Sequence, residues 1–178
     1  MERISQLERD YVNQVLDSAF TTSLNSVFNN RLETAFAKKF NQAYAIGHCN
    51  GTATLHTAVA ALGLKPGDEV VVPALTMTST SLGVLHNGSI PVFADSDLDT
   101  FEISAESIEK VITPQTKAIM TVSLFGLAPD YDKILISVNA IIYISLKIMQ
   151  NVTLESIKVN MLVNLATFPV LAFKQVNI

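Results

Sequence analysis

The run Asn50-Gly51-Thr52-Ala53 has the residue types and the spacing to bind an anion. It stands between the apolar run of residues 43–47 and a helical pattern over 53–62, in which Leu55, Ala58, Val59 and Leu62 recur on one face. A small-residue turn that opens a helix leaves backbone N–H groups without intrahelical acceptors. The positive end of the helix dipole adds to them, and together they favour a phosphate dianion. Thr52 contributes a hydroxyl donor. Strand–glycine–helix turns are also common as plain structure, so the tetrapeptide alone leaves both readings open.

Other chemistry-bearing side chains offer less. His48, His56 and His86 have no carboxylate or cysteine at metal-ligand spacing, so no metal site is expected. Cys49, beside the turn, can be read as a thiol activated by a helix N-terminus, but a small buried residue is the favoured reading. Asp95, Asp97 and Asp99 alternate as calcium ligands do. The run lacks the glycine and the distal glutamate of an EF-hand loop, and a solvated loop is expected there. No catalytic residue can be assigned from these groups.

The elements that must position the turn are read from periodicity. Residues 3–19 form an amphipathic helix with Ile4, Leu7, Tyr11, Val15 and Leu16 on one face. A polar loop over 21–30 precedes a second helix over 31–40, with Leu32, Ala35, Phe36 and Phe40 inward. AYAIG is expected as a short buried strand, and Gly63 as the glycine that ends the helix over 53–62. KPGD is a turn, and EVVVP is a strand apolar on both faces, as in a covered parallel sheet. A helix over 76–88, a strand over 90–95, a loop, a helix over 104–112 with Ser104 as N-cap, and a strand over 116–125 follow. This alternation predicts an α/β layer of mostly parallel strands with flanking helices.

Composition narrows the function classes. With 12 basic and 16 acidic residues the net charge is −4, which provides no basic field for nucleic acid. A single cysteine excludes an internal disulfide. The charged, amphipathic start lacks a signal-peptide core, so a cytoplasmic address is expected. All seven glycines and every aspartate fall within residues 1–133, and the rest is rich in Ile, Val, Leu and Asn. Residues 134–149 are apolar but shorter than the ~20 needed to span a bilayer, and no confident element is assigned beyond Ile134.

Over residues 1–133 the sequence resembles the DegT/StrS family of pyridoxal-phosphate (PLP) dependent sugar aminotransferases. NGTATLH, LGLKPGDEVVVPALT, PVFADSDLDTF, ITPQTKAI and VSLFGLAPD carry the resemblance, in the family's order and spacing. It implies part of the large domain of a fold-type I PLP enzyme, with a mostly parallel sheet, and a homodimer with sites at the subunit interface. It also implies amino transfer from glutamate to a nucleotide-linked keto sugar, in polysaccharide or amino-sugar biosynthesis, with neither nucleic acid nor membrane as a partner. Gly51, Thr52 and Ala53 would hold the cofactor phosphate. Met77 stands where relatives usually stack an aromatic ring on the pyridine, and a thioether can also pack on a π-face. Ser123 lies in the segment that passes under the cofactor, where many relatives have histidine.

The resemblance stops before the family's two further requirements, an ED-A/N-A motif for the pyridine nitrogen and an SF…SK motif for the Schiff-base lysine. Lys147, Lys158 and Lys174 lack that context. The codons nonetheless carry a trace of both. Joining the third base of each codon to the first two of the next, Ser145 to Val152 permits I-E-D-N-A-E-C, its alanine forced by Met149-Gln150. Continued to Ile178, the displaced frame permits a string ending F-S-F-Q-A-S-K-H, its glutamine forced by Phe173-Lys174. The expectation is a one-base deletion or its equivalent near codon 134. Residues 134–178 are then an out-of-frame, poorly folded tail, and the chain a truncated relative that is inactive by itself. The competing non-enzymatic reading is a small membrane-associated or partner-binding protein that uses the apolar tail.

Overall fold

A computed structural model describes residues 4–18, 26–39, 43–124, 127–137, 145–149 and 172–173. The described residues of 1–47 and of 48–175 form two compact units. The first holds α1 (Gln6–Asp17) and α2 (Val27–Lys39). Ser5 starts α1 with a reciprocal capping box to Glu8, which satisfies donors at both positions. Neither helix has a buried residue, contrary to the inward faces expected from their periodicity; Phe40, also expected inward, lies outside the described residues. The apolar spacing is there, and within this unit the helices meet through ring contacts. Tyr11 and Phe28 lie 6.5 Å apart, and the Arg31 guanidinium sits 5.1 Å from the Tyr11 ring centre. α2 also starts inside the stretch expected as loop, since Ser26 accepts from the Asn29 N–H and the helix follows directly.

AYAIG is not a strand. Tyr44 is 80% exposed and Ile46 66% exposed, and among the described residues no strand pairs with this run. A short apolar run needs a neighbour for its ladder before it becomes a strand.

The second unit is the α/β layer. Its elements are α3 (Gly51–Ala61), β1 (Glu69–Pro73), α4 (Ser79–Leu85), β2 (Ile90–Ala94), α5 (Ala105–Val111), β3 (Thr116–Ser123), α6 (Tyr131–Ser137), β4 (Ser145–Met149) and β5 (Ala172–Phe173). The strands form one sheet in the order β2-β1-β3-β4-β5, and every pairing is parallel. The expected α/β class with flanking helices is what the chain forms. β4 and β5 lie in the stretch for which the sequence supports no element.

β1 shows why the continuous apolar run means a covered strand. Val70 and Val72 pack with Leu55, Ala58, Val59, Val84, Ala118 and Met120 on one face of the sheet. Val71 packs with Ala94, Ile103, Ile108, Ile119 and Ile134 on the other. α3 and α4 therefore cover one face, and α5 and α6 the other. α3 and α4 meet closely at Gly83, where an added Cβ would stand 2.9 Å from the Leu55 Cβ. Asn87 Nδ2 ties the pair by donating to the His56 and Gly83 carbonyls at 3.0 and 2.8 Å.

Candidate cofactor site

Chain order locates the site before any side chain is considered. From β1 the chain moves to β2 on one side, then returns to β3 on the other, so the strand order reverses between β1 and β3. Beyond the carboxyl ends of two such strands a crevice opens, the usual ligand position in a parallel α/β sheet. α3 lies along the sheet and reaches β1 through the short connection 62–68, so its N-terminus lies at that carboxyl edge. The segment after β1 carries Met77, and β3 ends at Ser123. The topology thus brings the Asn50–Ala53 turn, Met77 and Ser123 to one edge of the sheet.

The turn is a built helix start. Asn50 is the N-cap of α3; its Oδ1 accepts from the Ala53 N–H at 2.8 Å, and its carbonyl from the Thr54 N–H at 3.2 Å. Ala53 therefore has its N–H engaged in the cap. The N–H groups of Gly51 and Thr52 stand at the open first turn, with the Thr52 hydroxyl beside them. Gly51, Thr52 and Ala53 are half-buried, which suits a ligand seated at the surface of a crevice. This donor set, at the positive end of a helix, fits a phosphate dianion.

Met77 is 57% exposed, and its carbonyl accepts from the Thr80 N–H at 3.0 Å as the chain turns into α4. The Thr76 and Thr80 hydroxyls are paired at 3.1 Å, which fixes the same turn. Ser123 is 5% exposed and alternates with Ile119 and Thr121 on the α5–α6 side of β3. The Tyr131 phenol of α6 lies beside Thr121 and Ser123, and burial raises its pKa above the ordinary tyrosine value.

One site residue is not evident from the sequence. Glu102 is only 3% exposed; its Oε1 accepts from the Leu124 N–H at 2.9 Å, directly after Ser123, and its Oε2 has no hydrogen-bond partner. Burial pushes its carboxyl up to about 7, although the Leu124 hydrogen bond acts in the opposite direction. The turn before it explains its orientation. Phe101 takes a positive φ of 60° and stays exposed, while Glu102 and Ile103 both become buried. The only sequence signal is a charged residue set between Phe101 and Ile103 ahead of the Ser104 cap, and strand alternation would have pointed it outward.

The remaining candidates stay outside this cluster. His56 and His86 meet edge to face at 5.3 Å, and Cys49 is exposed, contrary to the buried position expected for it. Among the described residues no three His, Cys, Asp or Glu side chains are placed to hold a metal ion. Asp97 accepts from the Thr100 N–H, the Thr100 hydroxyl and the Asp99 N–H, which hold its carboxyl below the ordinary aspartate value. The aspartate run is thus an internally bonded loop. Among the described residues no helix is long and apolar enough to cross a membrane.

A parallel sheet with an open, Asn-capped helix start at its switch point is the architecture of a class: α/β proteins that hold a ligand at the carboxyl edge. Residues 2–140 match the DegT/DnrJ/EryC1/StrS aminotransferase family, and the chain belongs to that family. GDP-perosamine synthase of Caulobacter vibrioides is 43% identical over 133 residues, 75% of this chain and 36% of that protein. Among solved structures, the E. coli GDP-4-keto-6-deoxy-D-mannose-3-dehydratase with bound hydrated PLP is 32% identical, with a TM-score of 0.74. It is matched over 82% of this chain and 39% of that one. An aminotransferase from Psychrobacter cryohalolentis is 35% identical with a TM-score of 0.75, over 81% of this chain and 36% of that one. The chain thus covers little more than a third of the relatives it matches.

Proposed function

We propose that this chain carries the phosphate-binding part of a cytoplasmic, PLP-dependent sugar-nucleotide aminotransferase and is inactive in amino transfer by itself. The observation that carries the reading is the Asn50-capped start of α3, set at the switch point of a chain whose residues 2–140 match the family. The N–H groups of Gly51 and Thr52 and the Thr52 hydroxyl would hold the cofactor phosphate. Ala53 serves through its bond to Asn50, which fixes the turn. The Met77 thioether would cover one ring face, and Ser123 would lie beneath the ring.

When bound, PLP supplies an electron sink for moving an amino group. The natural substrate pair is glutamate and a GDP-linked keto sugar, and the site lies in a homodimer of the intact enzyme. The GDP-sugar names of the relatives support the nucleotide. A lysine and an acidic partner for the pyridine nitrogen are required in addition, and neither has a counterpart in the residues of this chain. Binding contacts do not replace a missing covalent nucleophile.

The cause we infer is a displaced reading frame from about codon 134, which divides the chain into an aminotransferase part, 1–133, and a divergent tail, 134–178. The extent of the family match, ending at residue 140, supports that boundary. In the register of β4, Lys147 pairs with Thr121 and Ile148 with Val122. The displaced-frame aspartate, whose codon straddles those two residues, would then lie on the strand beside β3, near Ser123.

Two measurements test the reading. The nucleotide sequence of the gene and its downstream DNA should encode an aminotransferase continuation in the displaced frame; a displaced frame without one ends the frame inference. The purified chain given PLP, glutamate and a GDP-linked keto sugar should form no 2-oxoglutarate, and its formation would refute the proposed inactivity.

A further inference from the structure

We propose that Glu102 is the positioning residue for the cofactor-facing end of β3, holding the Leu124 N–H with one carboxyl oxygen and keeping the other inside the protein. The role assigned to that end of the sheet rests on the reading above; the contact itself does not. Three observations carry the inference. Glu102 reaches β3 across sequence, accepting at 2.9 Å from the first residue after the strand, so it fixes the main chain next to Ser123. Its backbone is also fixed: its carbonyl accepts from the Asp97 N–H at 2.8 Å, and its N–H donates to the Thr100 hydroxyl at 3.3 Å. Its second oxygen is buried without a hydrogen-bond partner.

A carboxyl kept inside an apolar layer is most stable as the neutral acid. The groups that face it are the Leu124 N–H from β3 and the Tyr131 phenol from α6, which lies beside Thr121 and Ser123. Among the described residues Lys133 pairs with Asp130, and none forms an ion pair with Glu102. Ionisation would strengthen the Leu124 bond but make burial unfavourable, and burial is the larger effect. Opening of the β3 end should therefore become easier as the pH rises through neutrality.

Amide hydrogen exchange at Leu124, measured on the full chain without cofactor between about pH 5 and about pH 9, tests this. In the unmodified chain the protection factor should fall as the pH passes neutrality. Glu102→Gln keeps a carbonyl acceptor and cannot ionise, so protection should persist and be flat with pH. Glu102→Ala should lose roughly tenfold or more of the protection. Unchanged protection in Glu102→Ala overturns the proposal, as does a Glu102→Gln profile that follows the unmodified chain; the second comparison decides if the alanine variant does not fold. A PLP titration that leaves the Gly51 and Thr52 amide signals unmoved, with the Glu102 profiles as expected, would refute the cofactor reading and not the positioning role.

Discussion

Gly83→Ala should destabilise the chain even though it replaces glycine with the best helix former inside a helix. Helix propensity alone predicts a gain of up to about 1 kcal/mol. The packing predicts the reverse. The new Cβ would stand 2.9 Å from the Leu55 Cβ and 3.2 Å from the Leu55 carbonyl carbon, well inside contact distance. Neither atom is the mobile end of a side chain, so α3 and α4 must separate, which strains the Asn87 bond to the His56 carbonyl. Overpacking of this kind costs about 1–3 kcal/mol, which leaves a net loss of up to about 2 kcal/mol after the propensity gain. Urea unfolding of the full chain, with Gly63→Ala and Gly63→Asn beside it, separates the causes. Gly63 has φ +64°, and a Cβ added there would meet nothing within 4 Å, so its alanine variant loses about 1 kcal/mol from backbone conformation alone. Asparagine at position 63 should recover part of that loss and at position 83 should recover none. Gly83→Ala with stability at or above that of the unmodified chain would refute the close-packing argument.

Glu102→Gln should remove a pH dependence of stability. The folded carboxyl titrates at about 7 against an ordinary value of 4.5, so between those values the folded state keeps a proton that the unfolded state has lost. Stability should therefore fall as the pH rises from about 4.5 to about 7 and level off above, and urea midpoints of the variant should lack this slope. Asn50→Ala should cost about 1 kcal/mol of stability by thermal unfolding, because the Ala53 N–H loses its acceptor. Ile108→Ala should cost about 2–5 kcal/mol in the same assay, since the side chain is fully buried among Val71, Ala94 and Ile119.

The parts of the fold legible in the sequence are those where a local signal and the tertiary demand agree. EVVVP reads as a doubly covered strand because Val71 and its two valine neighbours face opposite layers. Ser104 reads as an N-cap and accepts from the Ser107 N–H. Gly63 and Gly88 sit at positive φ at expected helix ends, and Gly67 in the expected KPGD turn. The inward faces expected of α1 and α2 do not form, because helical periodicity identifies an apolar face but not what covers it. Glu102 escapes the sequence for a different reason. Its burial depends on the left-handed backbone at Phe101, a position where glycine would signal the turn and phenylalanine does not.

The contrast between β4 and the cofactor groups proposed to be missing separates what a sheet requires from what catalysis requires. A parallel ladder uses backbone N–H and C=O groups, which every residue but proline supplies in full. The run Ser145–Met149, beyond the residues 2–140 that match the family, can therefore pair along β3 from Ile119 to Ser123. A pyridine-nitrogen partner and a lysine nucleophile are side-chain requirements, each tied to one residue type at one place. A displaced frame spares the first kind of requirement and destroys the second. On the proposed displacement, restoring the frame near codon 134 would leave the strand order unchanged, and the difference would lie in the groups that β4 presents at the carboxyl edge beside Ser123.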